Sequence, residues 1–223
     1  LGATTVVIGA TPDGYNINDG VGSTEPAALQ AKVLEEGADI GIAFDGDGDR
    51  LQMVNAKGEL LTGDDVLYVL AMHRLTNGDS DAGIVGTLMT NMGLELALQE
   101  SGLRLARARV GDRYVKELMV AEGWSLGGES SGHIICGDLS TTGDGVIAAL
   151  QVLAAVRASG KSLEALTSGF NPLPQVLVNV RITKGFDLSA HPTIAEACRR
   201  VESELEGRGR LLLRPSGTEP VIR

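Results

Sequence analysis

The segment Asp45-Gly46-Asp47-Gly48-Asp49-Arg50 constrains this chain most, because it places three carboxylates at alternate positions with only glycine between them. Alternate side chains of an extended strand lie about 7 Å apart, too far to share one ion. The backbone must therefore curl, which glycine permits because it lacks a Cβ. The preceding run 39–44 has the apolar composition of a buried strand. The carboxylates thus follow the carboxyl end of a strand, where ligand sites of α/β proteins gather.

The ligand type indicates which ion this loop binds. Carboxylate oxygens suit Mg²⁺ or Ca²⁺, and three ligands from one short loop leave positions open for a substrate oxygen or water. An EF-hand also begins Asp-x-Asp-x-Asp, but it needs Gly at position six and Glu at position twelve, where this chain has Arg50 and Ala56. A solvated acidic turn would explain neither the alternation nor the buried strand. We predict a catalytic Mg²⁺ loop with three ligands: Asp45, Asp47 and Asp49.

Composition limits the classes of partner. The chain has 223 residues, of which 43% are hydrophobic, enough for one or two domains. Its formal charge of −10 argues against nucleic acid or an anionic membrane as a partner. Cys136 and Cys198 form no metal-type spacing, so we expect reduced thiols in the cytoplasm. No run approaches the ~18 apolar residues of a membrane span, and we see no signal peptide. Because the chain starts at Leu1 without Met and stops at Arg223 within an apolar run, we expect a piece of a longer protein.

Patterning divides the chain into alternating helices and strands. Helices are predicted over 24–36, 64–75, 91–101, 112–122, 144–158 and 193–206, and strands over 39–44, 51–54, 83–88, 105–110, 124–126, 176–182 and 211–213. Lys57-Gly58 would turn a hairpin. The alternation after residue 64 predicts a mostly parallel sheet covered by helices. The segment Asn171-Pro172-Leu173-Pro174 reads as a linker to a smaller unit.

Gly127-Gly128-Glu129-Ser130-Ser131-Gly132-His133 is a second candidate loop. Glu129 and Ser131 suit adjacent hydroxyls of a sugar, because Glu only accepts hydrogen bonds whereas Ser also donates them. His133 adds a group that exchanges protons near neutral pH. A polar hairpin with a capping Glu explains the same residues, so from this segment alone both interpretations stay open.

Arg214-Pro215-Ser216-Gly217-Thr218-Glu219-Pro220 combines a bidentate cation, two hydroxyls and a glycine turn whose N–H groups suit an anion. We predict a phosphate site there, closed by Arg223. The alternative is a surface turn with a salt bridge from Arg214 to Glu219. A fourth segment, Gly111-Asp112-Arg113-Tyr114-Val115, is either a ligand loop or a helix start with an N-cap Asp and an exposed Arg.

Taken together, the loops 45–50, 129–133 and 214–218 resemble the metal-, sugar- and phosphate-binding loops of the α-D-phosphohexomutase superfamily, in that family's order. Weaker similarity favours the family's glucosamine branch over its phosphomannomutase and phosphoglucomutase branches. The segments that carry this weaker similarity are 11–18, 91–95, 111–115 and 174–175.

This resemblance implies an α/β fold with mixed, mostly parallel sheets and helices in consecutive phosphohexomutase-type domains, followed by the start of a TATA-binding-protein-like α+β domain. The expected domains are the end of domain two over 1–60, domain three over 61–170 and part of domain four over 174–223.

The resemblance also implies roles for individual residues. Asp45, Asp47 and Asp49 would hold Mg²⁺ against an enzyme phosphoserine, Arg50 would steady the transferring phosphoryl group, and His133 would help move protons. The implied sugar-binding residues are Glu129, Ser131, Asp112 and Arg113. The implied phosphate-binding residues are Arg214, Ser216, Gly217, Thr218 and Arg223.

The implied reaction interconverts the 6-phosphate and the 1-phosphate of glucosamine through a bisphosphorylated sugar, for amino-sugar nucleotide and cell-wall precursor synthesis in the cytoplasm. The expected partner is a small phosphorylated amino sugar, and a homodimer is allowed. The family's nucleophilic serine belongs to a Ser-His-Asn-Pro loop that this chain lacks, and the segment Ser189-Ala190-His191-Pro192 is only an echo of it. We therefore expect this chain alone to be inactive.

Other function classes compete with this one. A metal-dependent phosphatase would use an aspartyl nucleophile and a second acid two residues later in the sequence. Asp45 and Asp47 have this spacing. A non-catalytic phosphosugar-binding module needs no serine loop at all. A mutase of the mannose or glucose branch would share the same loops.

Overall fold

The computed structural model describes residues 2–78, 83–183, 186, 188–216 and 219–223. The chain forms two compact units, Leu1–Pro172 and Leu173–Arg223. No helix of the described residues is long and apolar enough to cross a membrane. Near residue 13 the chain turns, with Asp13 Oδ1 accepting from the N–H groups of Tyr15 and Asn16 at 2.8 and 3.0 Å.

The first unit begins with a helix and a small antiparallel sheet. Helix α1 is Ala27–Glu36 and ends at Gly37, whose left-handed φ of 60° explains the predicted stop. The sheet has the order β1-β2-β3, with strands at Ile40–Phe44, Leu51–Asn55 and Leu60–Leu61. Since β1 and β2 are antiparallel neighbours, the acidic loop connects the two strands of a hairpin. The turn predicted at Lys57-Gly58 joins β2 to β3.

The rest of the first unit alternates helix and strand. Its elements are α2 Gly63–Thr76, β4 Ile84–Thr87, α3 Met92–Glu100, β5 Leu105–Ala108, α4 Asp112–Glu122, β6 Leu126–Gly128, β7 Ile134–Cys136, α5 Gly145–Ser159 and α6 Leu163–Thr167. The sheet order is β5-β4-β6-β7, in which β4 runs parallel to β5 and β6, and β7 is antiparallel. The predicted, mostly parallel sheet is therefore confirmed, while helix α6 was not predicted.

Both faces of this sheet are buried, which makes the domain a three-layer α/β/α structure. Successive side chains of a strand point to opposite faces. Ile84 and Ile134 join the cluster that contains residues of α2 and α5, whereas their neighbours Val85 and Ile135 pack with Met119 of α4. The central strand β4 is buried at every position, as expected for a sheet covered on both faces.

The second unit is smaller. It contains β8 Val180–Arg181, a 3₁₀ turn at Leu188–Ala190, helix α7 Pro192–Leu205 and β9 Val221–Ile222, and β8 pairs antiparallel with β9. The strand predicted over 176–182 is therefore shorter. The strand predicted over 211–213 is wrong, because these residues pair with no strand of the described part, and a strand needs a partner for its backbone groups.

Candidate active site

The acidic loop brings its three carboxylates together. Asp45, Asp47 and Asp49 each offer one carboxylate oxygen, and these oxygens lie within 4.8 Å of one another. The loop curls as predicted: Gly48 has φ 74° and donates its N–H to the Asp45 carbonyl at 3.2 Å. The Arg50 N–H donates to Asp45 Oδ1 at 3.1 Å, which closes the turn. This donor set fits a divalent cation with hard oxygen ligands.

The electrostatics of the trio also favour a cation. Loss of hydration, followed by the neighbouring Asp45, raises the pKa of Asp49. Burial opposes ionisation of Asp45 too, but hydrogen bonds from the Arg50 N–H and from Asp49 outweigh it and lower the Asp45 pKa. Asp45 therefore ionises more readily than an ordinary aspartate, and Asp49 ionises less readily. A bound cation relieves such repulsion.

Arg50 lies beside the trio and is half-exposed. Its Nε is 3.8 Å from Asp45 Oδ2, and 48% of its side chain is accessible. The long side chain is thus held loosely at the rim of the loop. Its role with a transferring phosphoryl group stays a prediction.

The predicted sugar loop lies directly against the acidic loop. Arg50 and His133 form an antiparallel bridge, and the Leu51 N–H donates to the Gly132 carbonyl at 3.0 Å. Gly132 has φ 94°, and a Cβ there would lie 2.1 Å from the Leu51 carbonyl oxygen. Only glycine fits this position. The structure therefore joins two segments that are about 80 residues apart in sequence.

Glu129 is anchored by the segment before α4. Its Oε1 accepts from the Gly111 N–H at 2.8 Å, and its Oε2 accepts from Ser131 Oγ at 3.4 Å. Gly111 is the N-cap of α4 with φ 127°, a conformation that favours glycine. Sequence reasoning missed the role of Gly111; its signal was a glycine directly before a helix. The alternative of an Asp N-cap is wrong, because Asp112 is the first residue of the helix.

The side chains of Asp112 and Arg113 form hydrogen bonds within their own helix, α4. Asp112 Oδ1 accepts from the Arg113 N–H at 2.7 Å, and Arg113 Nε pairs with Glu117 Oε1 at 2.8 Å. The Arg113 side chain is 78% exposed. Both residues start the helix that follows Gly111, next to Glu129. Their contact with a sugar stays a prediction.

His133 faces the acidic loop. Its Nδ1 lies 3.0 Å from Asp49 Oδ2, and the residue is 5% exposed. Proton transfer by His133 stays a prediction.

Asp64 is a second group that sequence reasoning missed. It is 3% exposed, and its Oδ2 accepts from the Asn91 N–H at 2.8 Å. Loss of hydration is the largest influence and raises the pKa of Asp64 to about 6. The preceding residue, Gly63, donates its N–H to the Ser130 carbonyl at 3.0 Å, so this helix start supports the sugar loop. In the sequence, Asp64 and Asp65 have the pattern of an ordinary acidic first turn of a helix.

The predicted phosphate loop belongs to the second unit. The backbones of Arg214 and Arg223 exchange two hydrogen bonds of 2.8 Å, and the Ser216 N–H donates to the Val221 carbonyl at 2.8 Å. Glu219 pairs with Arg223 and not with Arg214, so the alternative salt bridge is wrong. The predicted residues Gly217 and Thr218 lie outside the described residues. The pairing places the backbones of Arg214 and Ser216 beside those of Arg223 and Val221.

The first unit thus combines a three-layer α/β/α domain with an acidic hairpin loop that lies against the polar turn between β6 and β7. Comparison with family models gives the class of protein. Residues 62–173 match phosphoglucomutase/phosphomannomutase alpha/beta/alpha domain III, and residues 177–223 match the C-terminal domain of that family. The chain belongs to the phosphoglucomutase/phosphomannomutase family, and its resemblance to the α-D-phosphohexomutase superfamily is confirmed.

Curated relatives are similar over the whole chain. Phosphoglucosamine mutase of Aeromonas hydrophila subsp. hydrophila is 60% identical over 223 residues, which are 100% of this chain and 50% of that protein. Phosphoglucosamine mutase of Ralstonia nicotianae is 55% identical over 223 residues, with the same two shares. The chain thus spans about half the length of the curated relatives it matches.

Solved structures show the same fold. N-acetylphosphoglucosamine mutase of Aspergillus fumigatus, in complex with GlcNAc-6P and magnesium, has a TM-score of 0.72 at 19% identity, covering 92% of this chain and 52% of that one. A phosphoglucomutase/phosphomannomutase family protein from Burkholderia thailandensis has a TM-score of 0.67 at 23% identity, covering 90% and 44%. At these identities the likeness concerns the fold alone.

Proposed function

We propose that this chain is part of a phosphoglucosamine mutase, which interconverts glucosamine 6-phosphate and glucosamine 1-phosphate through a phosphoserine and a bisphosphorylated sugar. One observation carries the proposal: the carboxylate trio and the Glu129 turn lie against each other in the first unit. The relatives at 55–60% identity support the glucosamine substrate. We place this reaction in the cytoplasm, where it would supply amino-sugar nucleotide and cell-wall precursors.

The trio would hold the metal. Three convergent carboxylate oxygens fit Mg²⁺. When bound, Mg²⁺ neutralises charge on a phosphoryl group during transfer. Arg50, at the rim of the loop, steadies that group with its guanidinium.

The other loops bind the rest of the ligand. Glu129 and Ser131 bind sugar hydroxyls, since one side chain accepts and the other also donates hydrogen bonds. Asp112 and Arg113 extend this sugar site from the start of α4. The phosphate that does not react is anchored by Arg214, Ser216, Gly217, Thr218 and Arg223. Anchoring a remote phosphate turns its binding energy into positioning of the reacting one.

The nucleophilic serine is not among these 223 residues, which contain no Ser-His-Asn-Pro segment. We propose that another part of the intact protein supplies it. This chain alone then binds Mg²⁺ but gives no turnover. Ordinary rates from this chain alone would contradict that assignment.

The test uses full-length protein with Mg²⁺ and follows formation of the 1-phosphate by phosphorus NMR. We expect a higher kcat/KM for glucosamine 6-phosphate than for glucose or mannose 6-phosphate, and a loss of turnover in Asp47→Asn. The mannose and glucose branches are the second candidate, because the matching family model carries their names. A reversed substrate ranking would assign the protein to one of them, and inactivity on all three sugars would favour a binding module.

A further inference from the structure

His133 was expected to move protons, yet its surroundings suit a different task. A proton carrier must present a ring nitrogen to the substrate. Here Nδ1 lies 3.0 Å from Asp49 Oδ2, and Nε2 is buried without a hydrogen-bond partner in the described part of the chain. Only 6% of the side chain is accessible. Neither nitrogen is therefore available to a substrate.

The backbone fixes this pairing. The bridge between Arg50 and His133, with the bond from the Leu51 N–H to the Gly132 carbonyl, sets the register of the two loops. In that register Asp49 and His133 are neighbours. The start of α5 also holds the acidic loop, because the Gly145 N–H donates to the Gly48 carbonyl at 2.9 Å.

The ring itself is confined. A Cβ at position 143 would lie 2.3 Å from His133 Nε2, so the imidazole packs directly on the backbone of Gly143. Real Cβ atoms essentially never approach a heavy atom so closely, and a larger residue would push the ring out of place. Glycine at 143 thus leaves room for the ring in the position that faces Asp49.

From these contacts we infer that His133 is a positioning residue for the metal loop. Its Nδ1–H donates to Asp49 Oδ2 and holds that carboxylate turned toward Asp45 and Asp47. The inference rests on the proposed function, since it assumes that the trio binds Mg²⁺. Side chains that orient a metal ligand in this way typically change metal affinity 10–100-fold, roughly, when they are replaced.

Two substitutions separate positioning from proton transfer. In His133→Asn the amide nitrogen takes the place of Nδ1, so the donor to Asp49 remains although the imidazole is gone. In His133→Gln the donor moves one atom further out. Titration calorimetry of Mg²⁺ with full-length protein should give similar affinities for the wild type and H133N, and an affinity weaker by about 10-fold or more for H133Q.

Activity gives a second measurement. Saturating Mg²⁺ should recover much of the H133Q turnover if the defect lies in metal binding, whereas the loss of a proton carrier is not repaired by metal. Unchanged Mg²⁺ affinity in H133Q, with turnover lost in H133N and H133Q alike, would overturn the inference. If the wild type itself takes up no Mg²⁺, both this inference and the metal site of the proposed function are wrong.

A third variant covers the case in which H133Q does not fold. Gly143→Ala displaces the ring and leaves His133 intact, so we expect weaker Mg²⁺ binding. Gly160→Ala is the control for lost stability alone, because no atom lies within 4 Å of its added Cβ but its left-handed φ of 66° strains an alanine. Equal Mg²⁺ affinity in the two alanine variants would also count against the positioning role.

Discussion

Asp64 is a buried carboxyl in the first turn of α2, and its environment makes the ionised form costly. Loss of hydration is the largest influence and raises its pKa to about 6, with the nearby Asp65 acting in the same direction. The Asn91 N–H and Arg107 oppose the rise without cancelling it. Because the pKa in the folded state exceeds the unfolded value of 3.8, the native state holds this proton more tightly. The contribution of Asp64 to the free energy of unfolding therefore falls as the pH rises from 3.8 through about 6.

We predict that Asp64→Asn weakens this pH dependence. Between about pH 4.5 and about pH 7.5, ionisation of Asp64 should cost the wild type roughly 2 kcal/mol, a cost that the variant escapes. Urea unfolding at both pH values measures it. Asp39→Asn changes an exposed aspartate and is the control. Identical pH dependence in the wild type and in D64N would disprove the assignment.

At the level of elements, the start of α5 links helix capping to the acidic loop. Asp144 caps the helix, with its side chain accepting from the Ile147 N–H at 2.9 Å. The next residue, Gly145, donates its N–H to the Gly48 carbonyl. A frayed first turn would therefore loosen the loop that carries Asp47 and Asp49. Ser162 caps α6 in the same manner, through the Ala165 N–H.

Replacing the two caps should therefore have different consequences. Asp144→Ala and Ser162→Ala should each destabilise the protein by about 1 kcal/mol, the usual cost of an N-cap. Only Asp144→Ala should also weaken Mg²⁺ binding in calorimetry. Asp144→Asn keeps the cap and removes the charge, so it should retain most of the affinity. Equal losses in D144A and D144N would point to charge instead of helix capping.

For the whole molecule, the two units contain different members of the proposed set of binding loops. The first unit contains the trio and the Glu129 turn, and the second contains the turn of Arg214 and Arg223. A ligand that binds only the folded state stabilises it by mass action. Mg²⁺ should therefore stabilise the first unit, in which all three proposed ligands lie.

We predict that Mg²⁺ at a hundred times its Kd stabilises the first unit by about 2.7 kcal/mol. The midpoint temperature of thermal unfolding should rise by several degrees with Mg²⁺ and return to its original value when a chelator is added. Asp47→Asn, which alters the exposed member of the trio, should abolish the shift. A shift that persists in this variant would place the ion elsewhere.

Local patterns predicted local structure well. The helix predicted over 112–122 has those bounds in the structure, because apolar spacing and flanking glycines are properties of the segment itself. The run 211–213 has the composition of a strand and forms none among the described residues. Strand formation depends on a partner, which composition does not supply.

The sequence alone determined which chemical groups each loop carries: three carboxylates spaced by glycine, a Glu and a Ser two residues apart, and an arginine two residues before a Ser-Gly-Thr segment. Only the tertiary structure decided which of these meet. The bond between Asp49 and His133 spans 84 positions, and Gly111 reaches Glu129 across 18. Sheet order and strand register set such contacts, and they result from packing the whole domain, whereas spacing within a segment acts only on its neighbours.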